Sequence, residues 1–400
     1  MAIALNDKVL PPESENLDDV QPGYLGPTPP PDKPPTKSER RWVDRPEQLL
    51  QAVDILKQVK VVAVDAEFTQ VRLRTTGDVQ TSSHRMALLQ LAVEGHCFVV
   101  DTLRLNNLAP LEAVVADPAI VVLLHGAGAD MHVMAERGLT VVHYYDLEAT
   151  SRSIFGQHES SLATMLHRAL NIHMDKSLQR TDWARRPLPP AMVAYAARDA
   201  EMTLALYHWL DQHYAWALKL HENTSQAEAV AAWIDPFLRG TAIVSPDVAV
   251  AAAKAQGSIL DDAQVCTDCR AALATLIHPQ RRNRLLRLIA DLSLVQLVPD
   301  IEPLLQAPTS DERAASARAL GRLGVKQARP LLEPLLQDPV LDVRKAGQTA
   351  LRSLGDKQAR TPPPPSTKLA NGARSWTIGE TNSAGDENDW KARLRSMMGE

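Results

Sequence analysis

The sequence predicts two fold classes in series: an α/β domain with a mixed sheet flanked by helices, then an all-α helical-repeat solenoid. Three observations carry this. Three apolar segments in a row have strand character, namely Val61–Phe68, Met86–Val93 and Cys97–Asp101. Strands and helices then alternate through Leu210. Beyond Ser225 strand patterning stops and a unit repeats at an offset of 31 residues. A strand meander followed by alternating elements makes a mixed sheet, whereas stacked units that cannot bury their faces alone make a solenoid.

Composition bounds the reading. Hydrophobic content of 45 % supports sizeable cores, and 4 % aromatic content with abundant Ala and Leu leans towards helix. A net charge of -5 excludes a broadly basic surface, so any nucleic-acid contact is local. Three cysteines are too few for a disulfide framework and fit a reducing compartment. No cationic start precedes an apolar run, and no apolar run approaches the ~20 residues that span a bilayer. The expectation is a cytoplasmic protein without a membrane partner.

Residues 1–40 are proline-rich and read as a disordered tail. Residues 41–215 form the α/β domain. Gln48–Val53 has helical spacing, and Glu94-Gly95-His96 is a tight turn between strands. The polar stretch Arg72–Arg85 suits a long hairpin loop at the domain's edge. Ile120–Leu124 is apolar throughout, as a central strand is. It leads through His125-Gly126-Ala127-Gly128-Ala129-Asp130 into a helix, and Val141–Tyr145 is a further strand.

Residues 225–360 hold the repeats. Glu302-Pro303-Leu304-Leu305-Gln306 recurs as Glu333-Pro334-Leu335-Leu336-Gln337, and Asp311 and Arg313 recur as Asp342 and Arg344. Each unit reads as two helices split by a Pro/Asp turn and resembles HEAT-type repeats. Asp235-Pro236-Phe237-Leu238 looks like a decayed earlier copy. Residues 361–400 are polar and read as a second disordered tail.

The chemistry begins on the first strand. Asp65 and Glu67 are two apart, so they share one face of an otherwise apolar segment. Unpaired, such a pair is costly to bury, and a hard divalent cation relieves it. Asp130 opens the helix after the central strand, where an ordinary helix-start charge is the competing explanation. Tyr195 and Asp199 are four apart on a later, largely apolar helix.

Together these motifs resemble the tyrosine variant of the DEDD exonucleases, and specifically ribonuclease D. Asp65-Ala66-Glu67-Phe68 matches that family's first motif, and His125 stands five residues before Asp130 as in its second. Asp175–Trp183 with Arg186-Pro187-Leu188 looks like the segment leading to its last. The resemblance covers residues 40–212 and implies a ribonuclease H-like fold with 3′→5′ hydrolysis of phosphodiesters. It further implies two Mg²⁺ or Mn²⁺ ions held by Asp65, Glu67, Asp130 and Asp199, with Tyr195 orienting the attacking water. RNA is the favoured polymer, at transfer-RNA or other precursor 3′ ends, with 5′-monophosphates as products. DNA is the rival polymer, and a repeat scaffold carrying a vestigial nuclease is the rival class.

Weaker signals complete the reading. His125 and Lys176 are candidate substrate contacts, against an ordinary strand-end histidine and a solvated lysine. Cys266 and Cys269 are a lone Cys-x-x-Cys lacking a second pair for zinc. Arg281–Arg287 is the most basic run, either an RNA guide or a solvated helix face. The repeats are expected to bind RNA or a protein partner.

Overall fold

The structure, a computed structural model, describes residues 29–35, 38–73, 81–175, 177–178, 181–224, 230–259 and 261–355. Its first part is built on a seven-stranded sheet. The strands are β1 (Glu39–Val43), β2 (Val61–Leu73), β3 (Thr81–Val93), β4 (His96–Asp101), β5 (Val121–Leu124), β6 (Tyr144–Asp146) and β7 (Glu222–Asn223). Their order is β1-β4-β3-β2-β5-β6-β7. β2, β3 and β4 form the expected antiparallel meander, turning at Gly95. β5 and β6 extend it in parallel, and β1 closes the opposite edge parallel to β4.

Two features differ from the sequence expectation. The first hairpin keeps pairing out to Leu73 and Thr81, so its loop is shorter than Arg72–Arg85. Strand pairing satisfies backbone groups whatever the side chains are, so a polar composition there hid it. Likewise Glu39–Val43 is too charged to read as a strand, yet it pairs along an exposed edge where charge is tolerated.

Alternation along β2 decides which helices cover which face. Val62, Val64 and Ala66 point into a core shared with α1 (Pro46–Leu56), α2 (Glu112–Val115) and α3 (Gly128–Ala135). Ala63, Asp65 and Glu67 point the other way. There Ala63, Ala92 and Cys97 meet Ala196, Ala197 and Ala200 of the long helix α6 (Pro190–Leu220). Small residues on both sides let α6 lie close to the sheet. Between these come α4 (Leu147–Phe155) and α5 (Leu162–Leu170).

The remaining described chain is helical: α7 (Asp235–Arg239), α8 (Pro246–Ala255), α9 (Asp262–Thr275), α10 (Pro279–Asp291), α11 (Val298–Ile301), α12 (Ser310–Leu323), α13 (Arg329–Leu332) and α14 (Leu341–Ser353). The repeated Glu-Pro-Leu-Leu-Gln does not continue an α-helix. In both copies a short α-helical turn passes into a 3₁₀ turn there, since Pro303 and Pro334 cannot donate the next backbone bond. Gly321 is needed where α12 meets α14, because a Cβ there would sit 2.7 Å from the Ala350 Cα.

An arginine ladder extends the array by one unit. Arg313 donates to the carbonyls of Ala307 and Pro308, and Arg344 to those of Asp338 and Pro339. Arg282, one repeat earlier, donates in the same way to Leu276. It also pairs with buried Glu312 at 2.5 Å. So part of the basic run is structural: Arg282 binds its own repeat, and Arg284 donates to the Leu238 carbonyl.

The repeated aspartates dock the array onto the α/β domain. Asp311 accepts from the Ser153 hydroxyl and Asp342 from the Gln157 amide, each at 2.7 Å. Gly156 lies between, with φ of 89° and room for no Cβ beside Val340.

Candidate active site

The site forms where α6 crosses the middle of β2. Strand alternation presents Asp65 and Glu67 to the helix, and a register shift between Glu67 and Phe68 interrupts the ladder beside them. Asp199 faces them one helical turn after Tyr195. Carboxylate oxygens of Asp65, Glu67 and Asp199 lie within 4.8 Å of one another. Asp130 enters from the first turn of α3, at the end of β5 beside β2. It is 8 % exposed and caps nothing, because the N-cap of α3 is Ala127.

Electrostatics bind the four into one unit. Burial pushes Glu67 up to about 8, reinforced by Asp199 and Asp130. Burial also lifts Asp130 to about 7, opposed by a hydrogen bond with the Ala66 backbone. Asp199 rises to about 6 through burial, opposed by the Tyr195 hydroxyl and the charge of Arg198. Asp65 is raised by burial first, then by Asp130, Asp199 and Glu67 in turn. Asp199 Oδ1 is buried without a hydrogen-bond partner. Unpaired buried acids with an orphaned oxygen are what a hard divalent ion satisfies, and all-carboxylate ligands suit Mg²⁺ or Mn²⁺. The donor set therefore fits the expected metal, and it is the only such group among the described residues.

The Tyr195 hydroxyl lies beside Asp199 and interacts with its carboxylate. Burial, then Asp199 and Glu67, raise its pKa further, so at neutral pH it is a donor and not a base. Its ring lies 6.2 Å from that of Trp183, which is buried in the core as read from sequence.

The other candidates fare differently. His125 Nε2 lies 3.1 Å from the Ser160 carbonyl, and the carboxylates acting on it are Asp146 and Glu148, not Asp130. Burial lowers its pKa, which leaves a neutral ring held by the fold. Lys176 lies outside the described residues. Cys269 is buried with its thiol pushed up to about 12, the Cys266 thiol points to Gln296 at 3.8 Å, and no zinc-type ligand group forms around the pair among the described residues.

Three supporting residues escaped the sequence reading. Asp146 caps α4 and also accepts from the amides of Gly126 and Ala127, fixing the turn that delivers Asp130. An aspartate just before a helical run was a legible cap signal. Buried Asp101 forms a two-pronged pair with Arg186, which also donates to the carbonyls of Ala87 and Trp183. Gln90 stands opposite Asp65 in the β2–β3 register, fully buried, with neither amide atom partnered. Its signal was a lone amide within an apolar strand.

Residues 40–214 match the family model for 3′-5′ exonuclease domains, and residues 298–362 match HEAT repeats. The first part of this chain is a 3′-5′ exonuclease domain. Among similar proteins, an exosome complex component 10 homolog of Drosophila melanogaster is 31 % identical over 43 % of this chain and 18 % of its own length. The exosome complex exonuclease RRP6 of Saccharomyces cerevisiae is 34 % identical over 42 % of this chain and 22 % of its own. Ribonuclease D of Haemophilus influenzae is 29 % identical over 42 % of this chain and 40 % of its own. The chain thus spans well under half the length of these relatives. The exonuclease domain holds every catalytic candidate, and HEAT repeats follow it. No helix among the described residues is long and apolar enough to cross a membrane.

Proposed function

We propose that the protein is a divalent-metal-dependent 3′→5′ exoribonuclease that removes 5′-mononucleotides from RNA ends. One observation carries this: Asp65, Glu67 and Asp199 converge within 4.8 Å, inside a domain of exonuclease type. The names of the relatives, ribonuclease D and exosome exonuclease, favour RNA over DNA. A vestigial domain would have no reason to keep four mutually repelling acids packed together.

Two divalent ions, when bound, would supply an activated water and stabilisation of the leaving 3′ oxygen. Asp65 and Glu67 would hold both ions, Asp199 the ion on the water side, and Asp130 the other. Asp130 stands outside the tight group of three, which suits contact through a water. Tyr195 stays protonated, locks the Asp199 carboxylate and orients the attacking water beside it. The phosphorus–O3′ bond then breaks, and the phosphate leaves on the released nucleotide. His125 would support this only by fixing the turn before Asp130, and Lys176 remains a candidate backbone contact. A cytoplasmic site of action, with precursor 3′ ends as substrates, completes the reading.

The test is degradation of 3′-labelled single-stranded RNA and DNA with Mg²⁺, Mn²⁺ or EDTA. Metal-dependent release of labelled 5′-monophosphate from RNA is expected, and Asp65→Ala and Asp199→Ala should abolish it. Activity surviving Asp65→Ala sinks the two-metal assignment, and equal turnover of DNA removes the RNA preference.

A further inference from the structure

We propose that the groove between α4 and the repeat helices α10 and α12 binds the sugar-phosphate backbone of single-stranded nucleic acid. This rests on the nuclease reading above and adds a second contact outside the carboxylate site. The groove has a volume of about 430 Å³ and takes side chains from both parts of the chain. Volumes of that order hold a nucleotide-sized group.

Its charge is the first argument. Arg152 of α4, Arg287 of α10 and Arg318 and Arg322 of α12 line it. Only two carboxylates line it with them, Asp311 and Asp342, and both are already engaged in docking through Ser153 and Gln157. Four guanidiniums against two carboxylates leave the lining net positive in a chain of net charge -5.

Satisfaction is the second. Arg287 and Arg322 both turn to Asp291, sharing one carboxylate. The side chains of Arg152 and Arg318 make no hydrogen bond or ion pair among the described residues, although both act on buried Asp311 by charge. Asn283 Oδ1, also in the groove, is buried and unpartnered. Unpaired guanidinium forks match phosphate oxygens, and an orphaned amide oxygen accepts from a sugar hydroxyl. Between them the lining is alanine from α10 and α12.

Construction is the third. The groove exists only because the repeats are docked. Ser310 donates to the Arg152 carbonyl and Ser153 to Asp311, so the unpaired arginines of the two parts are held around one opening. A solvated helix face would need no such wall.

The test uses the full chain, a 5′-fluorescein 12-nucleotide oligouridylate and EDTA, so that binding is read without turnover. Arg318→Ala should weaken binding about three- to tenfold at 50 mM salt and lower the slope of log affinity against log salt by about 0.7. Arg318→Lys should keep that slope. Arg318 is exposed and makes no hydrogen bond or ion pair among the described residues, so thermal melts of the variant should stay close to those of the wild type. Hydrolysis of bis(p-nitrophenyl) phosphate with Mn²⁺ should be equal in both. Unchanged RNA affinity and slope in Arg318→Ala overturn the inference. So does loss of 5′-AMP binding with RNA binding intact, which marks a free-nucleotide site. Tighter binding of a glutamate-rich peptide than of RNA overturns it in favour of a protein partner. Absence of wild-type ester hydrolysis instead strikes the nuclease reading, while the anisotropy still judges the groove.

Discussion

Replacing Glu67 by glutamine removes one of the four repelling carboxylates while keeping its shape. In the metal-free protein Glu67 is raised from 4.5 to about 8, so between those pH values the folded state holds a proton that the unfolded state has lost. Stability therefore falls as pH rises through that window, and glutamine, which does not titrate, escapes the fall. At about 1.36 kcal/mol per pH unit the ceiling is roughly 5 kcal/mol. The four acids titrate together and share that strain, so a net gain of about 2 kcal/mol is the expectation. That corresponds to a melting point higher by about 4–8 °C in EDTA at pH 8. At pH 5 wild-type Glu67 is already neutral in the fold, and the gain should shrink to a small fraction. With Mn²⁺ the order should invert, because the ion binds the folded wild type more tightly. Melting curves at pH 5 and pH 8, each with EDTA and with Mn²⁺, decide it. Equal gains at both pH values, or a loss at pH 8 in EDTA, would refute the argument that the cluster is destabilised by its own charge.

Three further outcomes follow from the geometry. Tyr195→Phe removes the hydroxyl beside Asp199 and should cut turnover about 10- to 100-fold while Mn²⁺ affinity by calorimetry changes little; a matching loss of affinity would make the tyrosine a metal-site prop only. Gly156→Ala places a Cβ 2.7 Å from Val340 Cγ1 on a residue with φ of 89°, so urea titration should show a loss of about 2–4 kcal/mol; a loss under 0.5 would mean the seam yields. Arg313→Met leaves Asp338 buried without its partner and should cost about 3–5 kcal/mol by the same titration, with a cost below 1 contradicting the paired burial.

Much of the site was legible because local rules wrote it. Two-residue alternation placed Asp65 and Glu67 on one face, and four-residue spacing placed Tyr195 beside Asp199. What made them a site was non-local. Asp130 alone looked like a helix-start charge, and only the parallel pairing of β5 with β2 brings it to the cluster. His125 reads from sequence as a substrate contact or an ordinary strand-end histidine, and only the fold places the Ser160 carbonyl 3.1 Å from its Nε2.

The repeats divide in the same way. The 31-residue period gave two units outright, since Asp311 and Asp342 and their arginines recur in register. Arg282 shares that period, but its flanking sequence has drifted, and only its carbonyl contacts reveal the third rung. The sequence by itself determined the fold classes and the paired carboxylates on β2, because periodicity and charge placement are local. The tertiary structure decided that α6 packs alanine against alanine close enough to close the cluster on β2. It also decided that the repeated aspartates, unremarkable as helix-start charges, join the two parts of the chain. Both depend on distances between segments far apart in sequence, which no local pattern encodes.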